Sequence, residues 1–241
     1  FAMTRIAQAI QQMTPPGQVL FESSGSWVVP AGVTSISMVA VQSGDFGDTT
    51  GSTVTYNSTV ICRALNGSRI GDGGGDGGAA GASKFATFWY GGGGGGAGGY
   101  SGNGGNGSSG DTGTESTGGT GGGGGGGGHN RATGSGGPGA VGGGVGVLGA
   151  GANGAAGASL NFSAGTPGGA GSGGVGRKYG GGAVGTSGSH LANQGGALSY
   201  KNNVAVTPGQ VVSISIGGAN GAVRIIWGPG RAFPSINTGN V

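Results

Sequence analysis

The run "TGGGGGGGGHNRATGSGG", residues 120–137, constrains this chain more than any other feature. Glycine loses more conformational freedom on folding than any other residue, so such a tract orders only where something specific compensates. The difficulty is general, because 71 of the 241 residues are glycine. Composition of this kind points to a low-complexity or fibrous class before an ordinary globular enzyme. Disorder is opposed by the β-branched residues near both ends, since disordered chains are poor in them.

Two stretches read as strands. "QVLFESSGSWVVPAGVTSISMVAV" carries Val33, Ile36, Met38, Val39 and Val41, with Pro30-Ala31-Gly32 as turn chemistry. "LSYKNNVAVTPGQVVSISIGGANGAVRIIWG" alternates Val204 with Val206, turns at Thr207-Pro208-Gly209, and alternates again through Val212, Ile214 and Ile216. Between these ends glycine recurs every third residue: Gly104, Gly107, Gly110 and Gly113, then Gly165, Gly168, Gly171 and Gly174, then Gly182, Gly185 and Gly188. Three is the repeat of the polyproline II helix, which makes no internal hydrogen bonds. Collagen is excluded, because the register breaks at "GAVGGGVGVLGAG" and proline is scarce. The expectation is therefore β-rich ends bracketing a glycine-rich domain of packed polyglycine II helices, with glycine wherever two backbones approach. Ordering a residue costs about 1–2 kcal/mol and a hydrogen bond returns about 0.5–1.5 net, so the glycine domain needs the β-rich ends as its apolar foundation.

At the start, Met3, Ile6, Ile10 and Met13 are spaced by three and four, one stripe of a short helix that "TPPG" then stops. Such a stripe packs on its own domain or serves as an attachment seam. The stretch "SGDFGDTTGSTVTYNSTVICRALNGSRI" alternates Val54/Tyr56 and Val60/Cys62 and reads as a hairpin-like excursion. The expected organisation is a helix and attachment segment over 1–16, a β region over 17–70, the glycine domain over 71–196, and return strands with a C-terminal tail over 197–241.

Little in the sequence supports catalysis. Ten Lys and Arg are scattered without a basic cluster, which argues against nucleic acid despite a pI near 9.3. Cys62 is the only cysteine, so there is no disulfide framework and no zinc site of the usual kind. No stretch approaches the roughly 20 apolar residues of a membrane helix, and "FAMTRIAQAI" lacks the marks of a secretory signal. A first residue other than Met is consistent with a processed product or the distal part of something longer. His129 and His190 have no partner at ligand or nucleophile spacing, and "GDGGGDGG" occurs once without a calcium-repeat pattern. Chance alone supplies G-x-G-x-x-G here, with no strand–turn–helix setting. No enzyme activity, cofactor or metal is expected.

The glycine runs are separated by segments of different character: "SKFATFWY", "HNRAT", "SLNFS", "GRKYG" and "SHLANQ". Loops on a rigid scaffold are where recognition residues usually sit. The candidate binding residues are Phe85, Phe88, Trp89, Tyr90, Tyr100, His129, Asn130, Arg131, Phe162, Arg177, Lys178, Tyr179 and His190. "KFATFWY" also reads as a strand whose alternate residues enter the β core, and the polar loop residues as solvated turns.

"GSWVVPAGVTSISMVAV", glycine runs, and "VTPGQVVSISIGGANGAVRIIWG" together resemble a glycine-rich module common in bacteriophage tail-fibre proteins. "GAVRIIWGPGRAFPSINTGNV" is similar to the C-terminal tails of many of them. The likeness covers about residues 18–241 and is specific at its ends, weak in its middle. It implies the architecture of the tip adhesins of T-even-like phages, whose polyglycine II helices stack as a sandwich and whose intervening loops recognise the host. By that resemblance the chain is a virion protein that contacts a bacterial surface receptor, an outer-membrane protein or a glycan, through the segments above, and joins other tail-fibre or virion proteins, with a homotrimer among the assemblies. Nucleic acid and membrane insertion form no part of it. Those adhesins carry an N-terminal seating domain that has no counterpart here, which leaves Met3, Ile6, Ile10 and Met13 as attachment candidates. The alternative is a purely structural fibre component. Ice binding is a third class, opposed by intervening residues too varied to form a flat regular face.

Overall fold

The computed structural model describes residues 15–44, 49–85, 89–109, 119, 139–155, 179–182 and 193–241. Its strands in chain order are β1 (Gly17–Phe21), β2 (Gly25–Val28), β3 (Ser35–Val41), β4 (Ser52–Tyr56), β5 (Thr59–Ala64), β6 (Gly73–Gly75), β7 (Lys84–Phe85), β8 (Trp89–Tyr90), β9 (Leu198–Ala205), β10 (Val211–Ser215) and β11 (Ala222–Trp227). Five form one sheet in the order β1-β11-β3-β9-β6, and four form a second, β2-β10-β4-β5. Every pairing is antiparallel, including the small β7–β8 hairpin.

The sequence of β3 explains its place. "SISMVAV" after its first serine is apolar on both faces except at Ser37, whose hydroxyl donates to Arg231 O, and every position but the first serine is buried. Ile36, Met38 and Ala40 point between the sheets, toward Val54, Cys62, Val212, Ile214, Val223 and Ile225. Val39 and Val41 point the other way, joining Leu198, Ala222 and Ile226 under Ala97, Tyr100, Val145, Val147 and Tyr179. The five-stranded sheet is thus covered on one face by its partner sheet and on the other by the glycine-rich segments and the tail. In β10 a single buried face suffices, and Val212 and Ile214 alternate inward against exposed Val211, Ser213 and Ser215. The excursion after β3 is a β4–β5 hairpin within the sandwich, turning at Asn57 and Ser58 with φ of 48° and 60°. Two successive positive φ values are what a tight type I′ hairpin turn demands.

The expected bundle of polyglycine II helices is corrected by this architecture, while the short helix expected at the start of the chain falls outside the described residues. Regular structure among the described residues consists of antiparallel sheets and contains no helix; residues 1–14 lie outside the described residues. The physical reason is that β-branched alternation at both ends of the chain is sufficient to build complete sheets, whereas most positions of the glycine segments have no side chain to bury. Their backbone groups find partners sideways instead. Gly78 N donates to Gly96 O at 2.8 Å and Gly81 N to Gly93 O at 2.9 Å; Gly96 N donates to Gly105 O and Gly93 N to Ser108 O; Gly104 N and Gly107 N reach Asp76 O and Ala79 O. These crossings fall every third residue.

Glycine is demanded at the same spacing by close approach. A Cβ on Gly75, Gly78 or Gly81 would lie 1.9, 2.0 or 1.9 Å from the carbonyl oxygen of Gly102, Gly105 or Ser108. Contacts that short do not occur, so any side chain would force the segments apart.

Candidate functional site

Register gives the molecule a direction. Strand β9 continues straight out of residues 193–197, and β3 runs antiparallel to it, with Val41 opposite Leu198 and Ser35 opposite Ala205. Gly17 of β1 lies opposite Trp227, and Val28 of β2 opposite Val211. Gly17, Val28, Ser35, Ala205, Val211 and Trp227 therefore mark one end, the base, where the chain enters from Pro15 and Pro16. Val241 is also at the base, its N–H donating to Gln18 Oε1 while Gln18 Nε2 donates to Val241 O.

The opposite, distal end is defined by the glycine segments. Residues 76–83 run outward from β6, and 91–99 return antiparallel to them. Residues 102–109 go out again, 139–148 return parallel to 91–99, 179–182 go out against 139–148, and 193–197 return. The described residues at the ends of 84–90, 110–138 and 183–192 lie near the level of Gly92 to Gly95: Gly93 N donates to Ser108 O, Gly94 N to Ala140 O, Gly95 N to Asn193 O, and Gly182 N to Gly95 O; within the second connection, Gly119 N donates to Gly154 O. Three connections thus leave from one end.

The candidate residues divide accordingly. Phe85, Trp89 and Tyr90 belong to the β7–β8 hairpin at the distal end, with Phe88 between its strands and outside the described residues. His129, Asn130, Arg131 and His190 lie outside the described residues, within connections whose flanks are distal. Phe162, Arg177 and Lys178 also lie outside them, but their connection is flanked by Ala155 and by Tyr179, and Tyr179 pairs with Val145 nearer the base. Met3, Ile6, Ile10 and Met13 precede Pro15 and lie outside the described residues.

Tyr100 and Tyr179 are corrected as exposed contact residues. Tyr100 is 1% exposed, stacked on Phe233 with ring centroids 6.1 Å apart. Its hydroxyl donates to Gly146 O at 2.9 Å and accepts from Gly149 N, and burial pushes its pKa above the usual tyrosine value. Tyr179 is 2% exposed and donates to Glu22 Oε1 at 2.6 Å. An aromatic flanked by glycine reads as a loop tip in sequence; here the glycines let the backbone come close enough to bury the ring. Cys62 is a buried core residue as expected of a lone cysteine, its thiol pushed up to about 12 by burial.

Sequence reasoning passed over two residues that organise the base. Arg224 of β11 and Arg231 are 2% and 5% exposed. Arg224 donates to the carbonyls of Thr238 (2.6 Å), Val147 and Gly239 and to Asn240 Oδ1. Arg231 donates to Asn237 O at 2.8 Å, to Gly17 O and Gly239 O, and to Gln18 Oε1. Burial lowers the pKa of both from the free arginine value, and for Arg224 the neighbouring Arg231 lowers it further. Bound to carbonyl and amide oxygens, these two cations hold the tail, residues 228–241, against β1, β11 and the glycine segments. A single Arg inside "AVRIIW" was the available signal, because a charge in an otherwise apolar strand must find buried acceptors.

Two ion pairs sit at the β6 side: Arg69 Nε to Asp76 Oδ1 at 3.0 Å and Lys201 Nζ to Asp72 Oδ1 at 2.5 Å. Burial alone would raise the Asp72 carboxyl, but Lys201 and the Asn202 N–H outweigh it and hold the carboxyl below its ordinary value. No group of three metal-ligating side chains occurs among the described residues.

The chain matches no family model, no curated protein and no solved structure.

Proposed function

We propose that this is a phage tail-fibre-associated receptor-binding protein that recognises the host surface through the connections at its distal end. The observation that carries the reading is the polarity of the molecule. Gly17, Gln18 and the tail lie together at the base, while three connections leave from the opposite end, the first carrying Phe85, Phe88, Trp89 and Tyr90, the second His129 and Arg131, and the third His190. Attachment and recognition are thereby separated along one axis, as an adhesin requires. The glycine segments between them give a stiff support, because each is tied to several neighbours through its backbone. Phe85, Phe88, Trp89, Tyr90, His129, Asn130, Arg131 and His190 are the contact residues on this reading, and the receptor is a bacterial outer-membrane protein or glycan.

The test is binding of the purified chain to whole cells of a panel of bacterial hosts, against a variant with Phe88, Trp89, His129 and Arg131 changed to Ser. Saturable binding by the parent, lost in a variant with an unchanged melting temperature, supports distal recognition. Equal binding by both chains moves the contact elsewhere. Binding by neither, on a host that a virion carrying this protein infects, favours the purely structural fibre component.

A further inference from the structure

The two ion pairs beside β6 border a cleft of about 290 Å3. Arg69, Asp72, Asp76 and Ser199 line it, together with the backbone of three glycines. Its volume falls at the lower end of the range for small-molecule sites, about 300–1,000 Å3. Its lining is of another kind. Such sites are mostly apolar and aromatic with a few polar groups, whereas every side chain lining this cleft carries a hydrogen-bonding group.

Those groups are held in place by the fold. Asp76 Oδ1 accepts from Arg69 Nε at 3.0 Å and from Gly67 N at 3.2 Å, and Asp76 N donates to Asn103 Oδ1 at 2.9 Å. Asp72 accepts from Lys201 Nζ at one oxygen and from Asn202 N at the other, and its own N–H donates to Tyr200 O at 2.7 Å. Ser199 Oγ donates to Ile70 O at 2.8 Å. Groups fixed in this way lose little freedom when a ligand arrives. They are also within reach of one: the side chains of Arg69 and Asp76 are 30% and 36% exposed, those of Lys201 and Asp72 39% and 36%. Arg69 and Asp76 meet through Nε and Oδ1, so among the described residues the two Nη groups and Oδ2 keep their hydrogen-bonding capacity.

We propose that this cleft binds one uncharged sugar ring. A hydroxyl donates and accepts at once, and neighbouring hydroxyls suit a wall where a carboxylate oxygen stands beside guanidinium N–H groups. Hydrogen bonds to such charged groups are the stronger kind. Charge selects the class of ligand. The two carboxylates are balanced by Arg69 and Lys201, so neither an anion nor a cation finds a net countercharge, and a neutral polyol gives up nothing by lacking one. The cleft stands where residues 76–83 begin their outward run from β6, on the flank of the molecule and away from the distal connections. The inference is therefore independent of the distal recognition reading.

Saturation-transfer NMR on the full chain tests it, with the methyl glycosides of glucose, galactose and mannose as probes and dextran, galactan and mannan as their polymers. At least one neutral glycoside is expected to bind, about tenfold or more weakly after Arg69→Met. Thr55→Ala in β4, on the other sheet, should leave that binding unchanged. Circular dichroism confirms that each variant is folded; if Arg69→Met is not, Lys201→Met replaces it. Binding of the matching polymer with the same dependence on Arg69 assigns the cleft to a residue within a glycan, and binding of the glycoside alone assigns it to a free sugar. Absence of transfer to every neutral probe overturns the proposal. So does tighter binding of glucuronate or glucosamine than of glucose, displacement of the sugar by calcium chloride, or binding that survives both Arg69→Met and Lys201→Met.

Discussion

The sandwich and the glycine segments meet the same entropy problem with opposite materials. Between the sheets, side chains such as Ile36, Met38, Val212 and Ile225 are removed from water, each contributing about 1.5–3 kcal/mol. In the glycine segments, beyond Ala97, Tyr100, Val145, Val147 and Tyr179 against the sheet, there is little to bury. Stabilisation comes from lateral backbone bonds such as Gly78 N to Gly96 O, each worth about 0.5–1.5 kcal/mol net, and from packing backbone on backbone where a side chain would intrude. The sandwich is thus sensitive to what is taken away, the glycine segments to what is added. The tail joins the two. Arg224 in β11 reaches Val147 O in the glycine segments, Thr238 Oγ1 donates to Leu148 O, and Ala150 N donates to Pro234 O.

Removing the joint should have the largest effect. Deletion of residues 237–241 takes most acceptors from two buried guanidiniums, and stranding a buried charge costs about 3–5 kcal/mol. Urea denaturation should show that loss, and hydrogen exchange should show residues 139–150 deprotected before β3; deprotection in the reverse order would break the assignment of the tail as the joint. Next is Met38→Ala, a truncation in the sandwich core, expected to cost about 2–5 kcal/mol in the same denaturation experiment.

Addition in the glycine segments comes third. A Cβ on Gly95 would stand 2.0 Å from Gly78 O, and Gly95→Ala should cost about 1–3 kcal/mol, as overpacking does. Gly25→Ala in β2 is the control, because the nearest atoms, on the Phe21 ring, are an ordinary 4.0 Å away. Equal melting temperatures for the two variants would show that close approach is not what selects glycine.

The smallest effect concerns charge. The Asp72 carboxyl is held below its ordinary value, so its pairing with Lys201 adds stability above the usual carboxylate range near pH 4 and loses it as pH falls through the folded value. Both partners are more than a third exposed, which limits the pair to about 1 kcal/mol or less. Parent and Lys201→Met melting curves should differ slightly at pH 6 and converge toward pH 3.

The sheets were legible because their signals are local. Val204/Val206 and Val212/Ile214 alternate over stretches long enough to define a face, and "SISMVAV" announces a strand buried on both sides. The order of the strands was not legible, since nothing near β1 says that its partner is β11. The period of three marked where glycine segments cross, but a spacing does not state which group bonds to which. Tyr100 and Tyr179 misled for a related reason: their burial depends on chain that approaches from elsewhere, Phe233 and Tyr200 in one case and Glu22 in the other.

The pairing of β1 with β11 and of β2 with β10 also governs how the molecule is made. β1 and β2 leave the ribosome before their partners, which follow some two hundred residues later. The central place between β1 and β3 stays vacant until Ala222–Trp227 emerges, so neither sheet can be completed on a shortened product. Closing contacts of such long sequence separation is slow, and during that wait the glycine segments, with few apolar side chains of their own, offer little for misplaced strands to stick to. Translation that stops before Ala222 therefore leaves β1 without its partner.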